Sequence, residues 1–289
     1  MAIINGTEIA KEILERLKNQ PKPTKFLAAV LVGDDPASAS FIRQKEKVAK
    51  ELGVDFRLYQ FPATITKDEL RDKVLEIVSD KACGGVIVQL PLPNDLDKHY
   101  ILNVVPQEKD VDVLGEQALG AFYLDRNPIH PPAVAVVEEI VGCLKIDLAK
   151  TKVAVIGVGL LVGKPISLFL EGKAEKLEVF HRSSGNFQSQ LKDFDLVISG
   201  AGSARLFSAK DLNSKALVID FGYDEHDGKM VGDFDPSTDS TGSPQASSGQ
   251  APKGGDEKAI AYTPTPGGTG PILVAKLYEN FYTLIHDFI

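Results

Sequence analysis

Lys45 stands where a core residue is expected. At helical spacing its neighbours are Phe41, Ile42, Val48 and Ala49, all apolar, so its amine interrupts the stripe that should face the interior. An apolar setting disfavours the ammonium and lowers its proton affinity, which suits proton exchange during catalysis. The plainer alternative is a lysine that snorkels to solvent. A second stretch, Lys152–Ser167 (KVAVIGVGLLVGKPIS), runs from an apolar strand into Gly157-x-Gly159. It then reaches Gly163 and enters a helix whose first turn suits Pro165. Glycines there let a pyrophosphate approach main-chain N–H groups, so the pattern predicts a dinucleotide site, with a spacing one residue longer than the usual fingerprint. The next apolar run ends Val179-Phe180-His181-Arg182-Ser183-Ser184 without a carboxylate. Arg182 and Ser183 offer a cation and a hydroxyl to a 2′-phosphate, so NADP is expected rather than NAD.

These side chains need a frame, and short apolar runs alternate with helical patterns almost throughout. Phe26–Val32 reads as a buried strand ending in the Gly33-Asp34-Asp35-Pro36 turn, with Ser38 or Ser40 expected to cap the helix that carries Lys45. Val54–Phe61 alternates at strand spacing, and Lys67–Lys81 places Leu70, Val74, Ile77 and Val78 on one helical face. Gly85–Leu90 is apolar until Gln89 and is halted by Pro91-Leu92-Pro93. This order predicts an α/β fold with a parallel sheet and helices on both faces. Pro106–Pro132 reads as loop, and a helix over Ala133–Leu144 links two domains. Strands are expected again at 153–157, 177–181, 195–202 and 216–222, forming a Rossmann-like dinucleotide-binding domain. Residues 235–257, rich in Ser, Gly, Pro and Asp, read as a flexible surface excursion. An apolar helix over Pro271–Ile289 closes the chain.

The bulk numbers narrow the function classes. A chain of 289 residues, 43% hydrophobic and 25% charged, fits two modest soluble domains. A net charge of −8 argues against nucleic acid. Cys83 and Cys143 show no metal-ligand spacing, and neither do the five histidines, so no metal is expected. No apolar run approaches a membrane span, and a cytoplasmic enzyme is the default class.

Five motifs in one order extend this reading: Asp35-Pro36-Ala37-Ser38 with Lys45, Gln89-Leu90-Pro91-Leu92-Pro93, Lys109-Asp110-Val111-Asp112, Gly163-x-Pro165, and Thr265-Pro266-Gly267-Gly268-x-Gly270-Pro271. Together they closely resemble the bifunctional methylenetetrahydrofolate dehydrogenase/methenyltetrahydrofolate cyclohydrolase family, over essentially the whole chain except 235–257. The resemblance implies a catalytic folate-binding domain (1–132 plus 271–289), an NADP-binding domain (133–270) with 235–257 as an insertion, a cleft between them, and a homodimer. It implies Lys45 and Gln89 as the catalytic pair, with Phe41, Asp112, Pro266, Gly267 and Gly268 against the folate. Gly157, Gly159, Val162, Gly163, Arg182, Ser183 and Gly270 would contact the nucleotide. The implied reactions are NADP-dependent oxidation of 5,10-methylenetetrahydrofolate and hydrolysis of the methenyl product to 10-formyltetrahydrofolate. Phe41 departs from the family's tyrosine, Val113 from its glycine, and Gly159 from its serine. His130 departs from its threonine, and Ile272-Leu273 from its methionine-threonine. The alternative these departures raise is a cyclohydrolase-only protein or a weakened folate- or nucleotide-binding homologue.

Overall fold

Phe26–Val32 is buried at all seven positions, as a strand covered on both faces requires. Cys83–Val88 is buried throughout as well. The computed structural model describes residues 1–226, 228–237 and 260–287. In chain order the elements begin β1 (Ala2–Ile3), α1 (Gly6–Lys18), β2 (Phe26–Val32), α2 (Pro36–Leu52), β3 (Phe56–Phe61), α3 (Lys67–Ser79) and β4 (Cys83–Val88). The helices α4 (Lys98–Leu102), α5 (Glu116–Tyr123) and α6 (Pro132–Cys143) follow, then β5 (Lys152–Ile156), α7 (Gly163–Leu170), β6 (Lys176–Phe180) and β7 (Leu196–Ser199). The chain continues through β8 (Phe207–Ser208), β9 (Leu217–Asp220), β10 (Asp224–His226), β11 (Lys229–Val231) and β12 (Phe234–Asp235), and ends with β13 (Ala261–Tyr262) and α8 (Thr269–Asp287).

Two compact units result: Lys11–Pro132 with Val274–Ile289, and Met1–Ala10 with Ala133–Leu273. The first holds a three-stranded parallel sheet in the order β3-β2-β4. Its helix α3 starts with a capping box, in which Thr66 and Glu69 satisfy each other's backbone N–H groups. Val30, Val74, Ile77, Val86 and Ile101 lie in the core of this unit. Two expectations need correction. The cap of α2 is Asp35, whose carboxylate accepts from Ser38 N at 2.7 Å; Pro36 fills the first turn, and Ser38 and Ser40 lie inside the helix. Residues 106–132 are not all loop, because α5 and a single turn at Gln107–Lys109 form there. Only Ala118 and Phe122 are buried in α5, too few for a helical period to show.

The second unit is a six-stranded sheet in the order β1-β13-β9-β7-β5-β6, parallel at every pairing. The first ten residues belong here because Ala2 and Ile3 pair with Ala261 and Tyr262. Ile156, Phe180, Phe194, Val197, Val218 and Phe234 lie in its core. Of the expected excursion at 235–257, Asp235 closes β12, which pairs with β8; residues 238–257 lie outside the described residues.

Candidate functional site

On α2 the buried residues are Ser38, Ile42, Lys45, Ala49 and Leu52. Lys45 therefore sits in the core stripe, at 8% exposure. Its Nζ donates to Gln89 Oε1 at 3.0 Å. Gln89 Nε2 donates to the Leu90 carbonyl at 2.7 Å, which fixes the direction of the amide. Gln89 N also bonds Val30 O at 2.9 Å, so the ladder with β2 runs one residue beyond β4. From α8, the fully buried Tyr278 donates its hydroxyl to the Lys45 carbonyl at 2.6 Å. Burial holds that phenol protonated, hence a donor. Phe41, half-buried, lies one turn before Lys45 on the same face of α2.

Asp112 is the opposite charge at this site. Burial pushes the Lys45 amine down and the Asp112 carboxyl up, and each charge partly restores the other. The loop that carries Asp112 is held from both sides. Asp110, 4% exposed, accepts from Leu114 N at 2.9 Å and Gly115 N at 2.7 Å. Burial raises its pKa to about 6 against those bonds. Val86 and Asp110 form a parallel bridge that aligns the loop with β4. Lys109 donates to Val78 O at 2.6 Å and Asp80 O at 3.1 Å, neutralising the carboxyl end of α3. Val113, fully buried, is left-handed with φ 54°, a conformation that costs a β-branched residue energy.

Asn280, on α8, was not anticipated from the sequence. Its Nδ2 donates to Val111 O at 2.9 Å and His130 O at 2.8 Å, tying the Asp112 loop to the segment before α6. The signal was present as an amide inside the apolar run of α8, the same kind of interruption that singled out Lys45. The His130 ring packs edge-on against Phe122, with centroids 5.5 Å apart.

The glycine loop belongs to the other unit. Strand β5 has β6 on one side and β7 on the other, so the strand order reverses there and a crevice opens beyond the carboxyl ends. Gly157 follows β5 with φ 97°, and a Cβ on it would come within 2.8 Å of Gly200 O. A Cβ on Gly163 would overlap the Gly157 carbonyl, so α7 starts directly against the turn. Val162 precedes α7, and its side chain occupies the space a Cβ on Gly200 would need. At Gly159 nothing lies within 4 Å of where a Cβ would stand; the backbone there is open to a ligand. Arg182 and Ser183 lie exposed in a single turn after β6. That turn is shaped by His181 N donating to Ser184 Oγ at 3.0 Å and Ser183 N to His181 Nδ1 at 3.3 Å. The close-packed glycines, the open backbone and an exposed guanidinium at the β6 end fit a dinucleotide with a 2′-phosphate.

The segment 264–270 lies in the same unit. The Thr265–Pro266 bond is cis and Gly267 has φ 95°. A Cβ on Gly268 would overlap Pro264 O, and one on Gly6 would overlap the Gly268 carbonyl. Thr269 opens α8 and donates its hydroxyl to Asp220 O at 2.9 Å. At Gly270 no atom lies within 4 Å of a Cβ position. The sequence reading thus divides between two places. Phe41, Lys45, Gln89 and Asp112 fall in one unit; Gly157, Gly159, Val162, Gly163, Arg182, Ser183, Pro266, Gly267, Gly268 and Gly270 fall in the other.

Comparison with known proteins matches both halves. Residues 4–112 match the tetrahydrofolate dehydrogenase/cyclohydrolase catalytic domain, and residues 131–288 match the NAD(P)-binding domain of the same family. The bifunctional protein FolD of Geobacillus thermodenitrificans is 34% identical, covering 96% of this chain and 95% of that protein. FolD of Lactobacillus gasseri is 32% identical over the same shares. The crystal structure of FolD, methylenetetrahydrofolate dehydrogenase/cyclohydrolase, from Campylobacter jejuni superposes with a TM-score of 0.87 at 27% identity, covering 100% of both chains. The Trypanosoma brucei enzyme, solved with NADP cofactor and inhibitor, gives 0.85 at 26% identity, covering 99% of this chain and 98% of that one. With matches that span both domains and a lysine–glutamine pair buried in the first, the chain belongs to the tetrahydrofolate dehydrogenase/cyclohydrolase family.

Proposed function

We propose that this chain oxidises 5,10-methylenetetrahydrofolate with NADP⁺ and hydrolyses the resulting methenyl cation to 10-formyltetrahydrofolate. The observation that carries the reading is the buried Lys45 amine, aimed by Gln89 Oε1 and opposed by the Asp112 charge. Asp112 would accept paired hydrogen bonds from the amino-pyrimidine edge of the pterin, and Phe41 would lie against the ring system. A bound NADP⁺ would supply the acceptor for the hydride of the one-carbon bridge. Gly157, Gly159, Val162 and Gly163 would hold its pyrophosphate, Arg182 and Ser183 its 2′-phosphate, and the backbone of Pro266–Gly270 would border folate and nucleotide.

Hydrolysis then uses this chain's own groups. Water adds to the electrophilic methenyl carbon and loses a proton to the neutral Lys45 amine. The C–N5 bond breaks as that proton passes to N5 and the hydroxyl proton leaves to solvent, so the carbon becomes the formyl carbonyl on N10. Desolvation readies Lys45 for this exchange, since an amine with lowered proton affinity both takes and returns a proton easily. Gln89 serves as the positioning group that keeps the amine in line.

We assign the folate chemistry to Lys11–Pro132 with the end of α8, and the nucleotide to the unit containing Ala133–Leu273. A homodimer in the cytoplasm is the setting that the family resemblance supports. The test is a spectrophotometric assay with each nucleotide in turn. Growth of NADPH absorbance that depends on methylenetetrahydrofolate is expected. No reduction of NADP⁺ or NAD⁺ with that substrate would overturn the dehydrogenase half.

A further inference from the structure

Two carboxylates are buried at the carboxyl end of the six-stranded sheet, and the reaction described above uses neither. Asp220, the last residue of β9, is 2% exposed; Asp233, just before β12, is fully buried. Asp233 accepts from Ser199 Oγ at 2.6 Å, Ala201 N at 2.8 Å and Ser203 N at 2.7 Å. Asp220 accepts from Gly222 N at 2.7 Å and Phe234 N at 2.9 Å. Each packs flat on backbone, since a Cβ on Gly222 would overlap the Asp233 carboxylate and one on Gly232 that of Asp220. The segment 263–269 covers Asp220 with hydroxyls: its N–H donates to Thr263 Oγ1 at 2.8 Å, and its carbonyl accepts from Thr269 Oγ1 at 2.9 Å. The charged group acting on Asp220 is Asp233, and among the described residues neither carboxylate has an ion pair.

Buried negative charge without a cation is costly. Its place in the fold suggests what offsets that cost. Ser199 ends β7, and the next residues, Gly200 and Ala201, abut Gly157. Arg182 marks the 2′-phosphate side of the crevice at the end of β6, so a dinucleotide crossing the switch point carries its other half towards β7 and β9. That half is the nicotinamide, which is cationic when oxidised and neutral when reduced.

We propose that Asp220 and Asp233 form an electrostatic selector, favouring the oxidised nicotinamide nucleotide over the reduced one and so drawing bound cofactor towards the hydride-accepting form. This rests on the nucleotide reading above. Asp220 also makes the preference respond to pH, because burial and the Asp233 charge raise its pKa to about 7. The groups around it are the Asp233 carboxylate from the β11–β12 connection and the hydroxyls of Thr263 and Thr269, with none of them positive.

The experiment is calorimetric measurement of Kd for NADP⁺ and for NADPH on the full chain, at pH 6 and pH 8.5. The 2′-phosphate ionises in both nucleotides and cancels in the ratio of the two constants. The expected preference for NADP⁺ grows about tenfold from the lower to the higher pH. Asp220→Asn should flatten that growth, and the wild-type pH series stands by itself if that variant does not fold. Binding of both nucleotides with a ratio that ignores pH would overturn the selector and leave the nucleotide reading intact. A folded Asp220→Asn that keeps the wild-type growth would also overturn it. Binding of neither nucleotide would overturn both.

Discussion

Lys45 Nζ lies 3.0 Å from an uncharged acceptor, on a helix face otherwise made of Ser38, Ile42, Ala49 and Leu52. Replacing it with methionine, which suits such a stripe, separates chemistry from stability. Lys45→Met is expected to slow methenyl hydrolysis by roughly 10²- to 10⁴-fold, the usual reach of a positioned proton carrier. Its Tm should hold or rise, because a desolvated amine gives way to an apolar side chain. Decay of methenyl absorbance and a thermal melt measure the two. The wild-type pH profile carries a sign as well. Burial lowers the Lys45 pKa, so the neutral amine accumulates, and hydrolysis rises, through a pH below the ordinary lysine range. Phe41 lies one turn away and has no hydroxyl to help hold that amine. Phe41→Tyr is expected to raise hydrolysis severalfold with little change in the folate KM; equal rates would show that Gln89 alone suffices for alignment.

At the scale of elements, α8 does work its apolar pattern conceals. Asn280 satisfies two carbonyls, those of Val111 and His130, with a single amide. Asn280→Leu leaves both unpaired in a buried place, for a loss of about 2–4 kcal/mol at the usual cost of such groups. Urea unfolding measures it, and the folate KM should rise more than kcat falls, because the Asp112 loop loses its tie. The elements differ in how plainly they could be read. β2 and β4 were legible as long apolar runs, and so was the stripe interrupted by Lys45. Asn280 was not, because an amide inside a run of Leu, Tyr and Phe says nothing about which distant carbonyls it meets. Ser38 and Ser40 suit a helix cap by residue type, but Pro36 in the first turn points to Asp35 as the cap of α2. The two-residue strands β8, β12 and β13 and the hairpin of β10 with β11 are too short for periodicity; long-range pairing makes them. Val113 could be seen to replace a glycine, but its left-handed backbone at φ 54° depends on Asp110 closing the turn beneath it.

For the whole molecule, buried acids set the response to pH. Asp110 is raised to about 6, Asp220 to about 7, and Asp112 upward, each from an ordinary 3.8 and each chiefly by burial. Between pH 4 and pH 7 the folded chain therefore binds more protons than the unfolded chain, so stability falls as pH rises through that window. Exposed caps act the other way. Asp35 and Glu69 are held below their ordinary values by helix N-terminal hydrogen bonds, and the stability they add is lost only as pH drops below about 4. Lys45, with its lowered pKa, adds a rise with pH that ends at the ordinary lysine value. The expected outcome is a maximum near pH 4 and a decline of several kcal/mol by pH 8, followed by urea unfolding at each pH. Because each unit has its own core and its own raised acids, with Asp110 and Asp112 in one and Asp220 in the other, both should weaken. Asp220→Asn should flatten the decline above pH 6 and leave the part due to Asp110. Repulsion from the net charge of −8 would give a similar trend, but it acts through solvent and is screened by salt. A decline that persists in strong salt belongs to the buried carboxyls, and one that vanishes there would assign it to the surface instead.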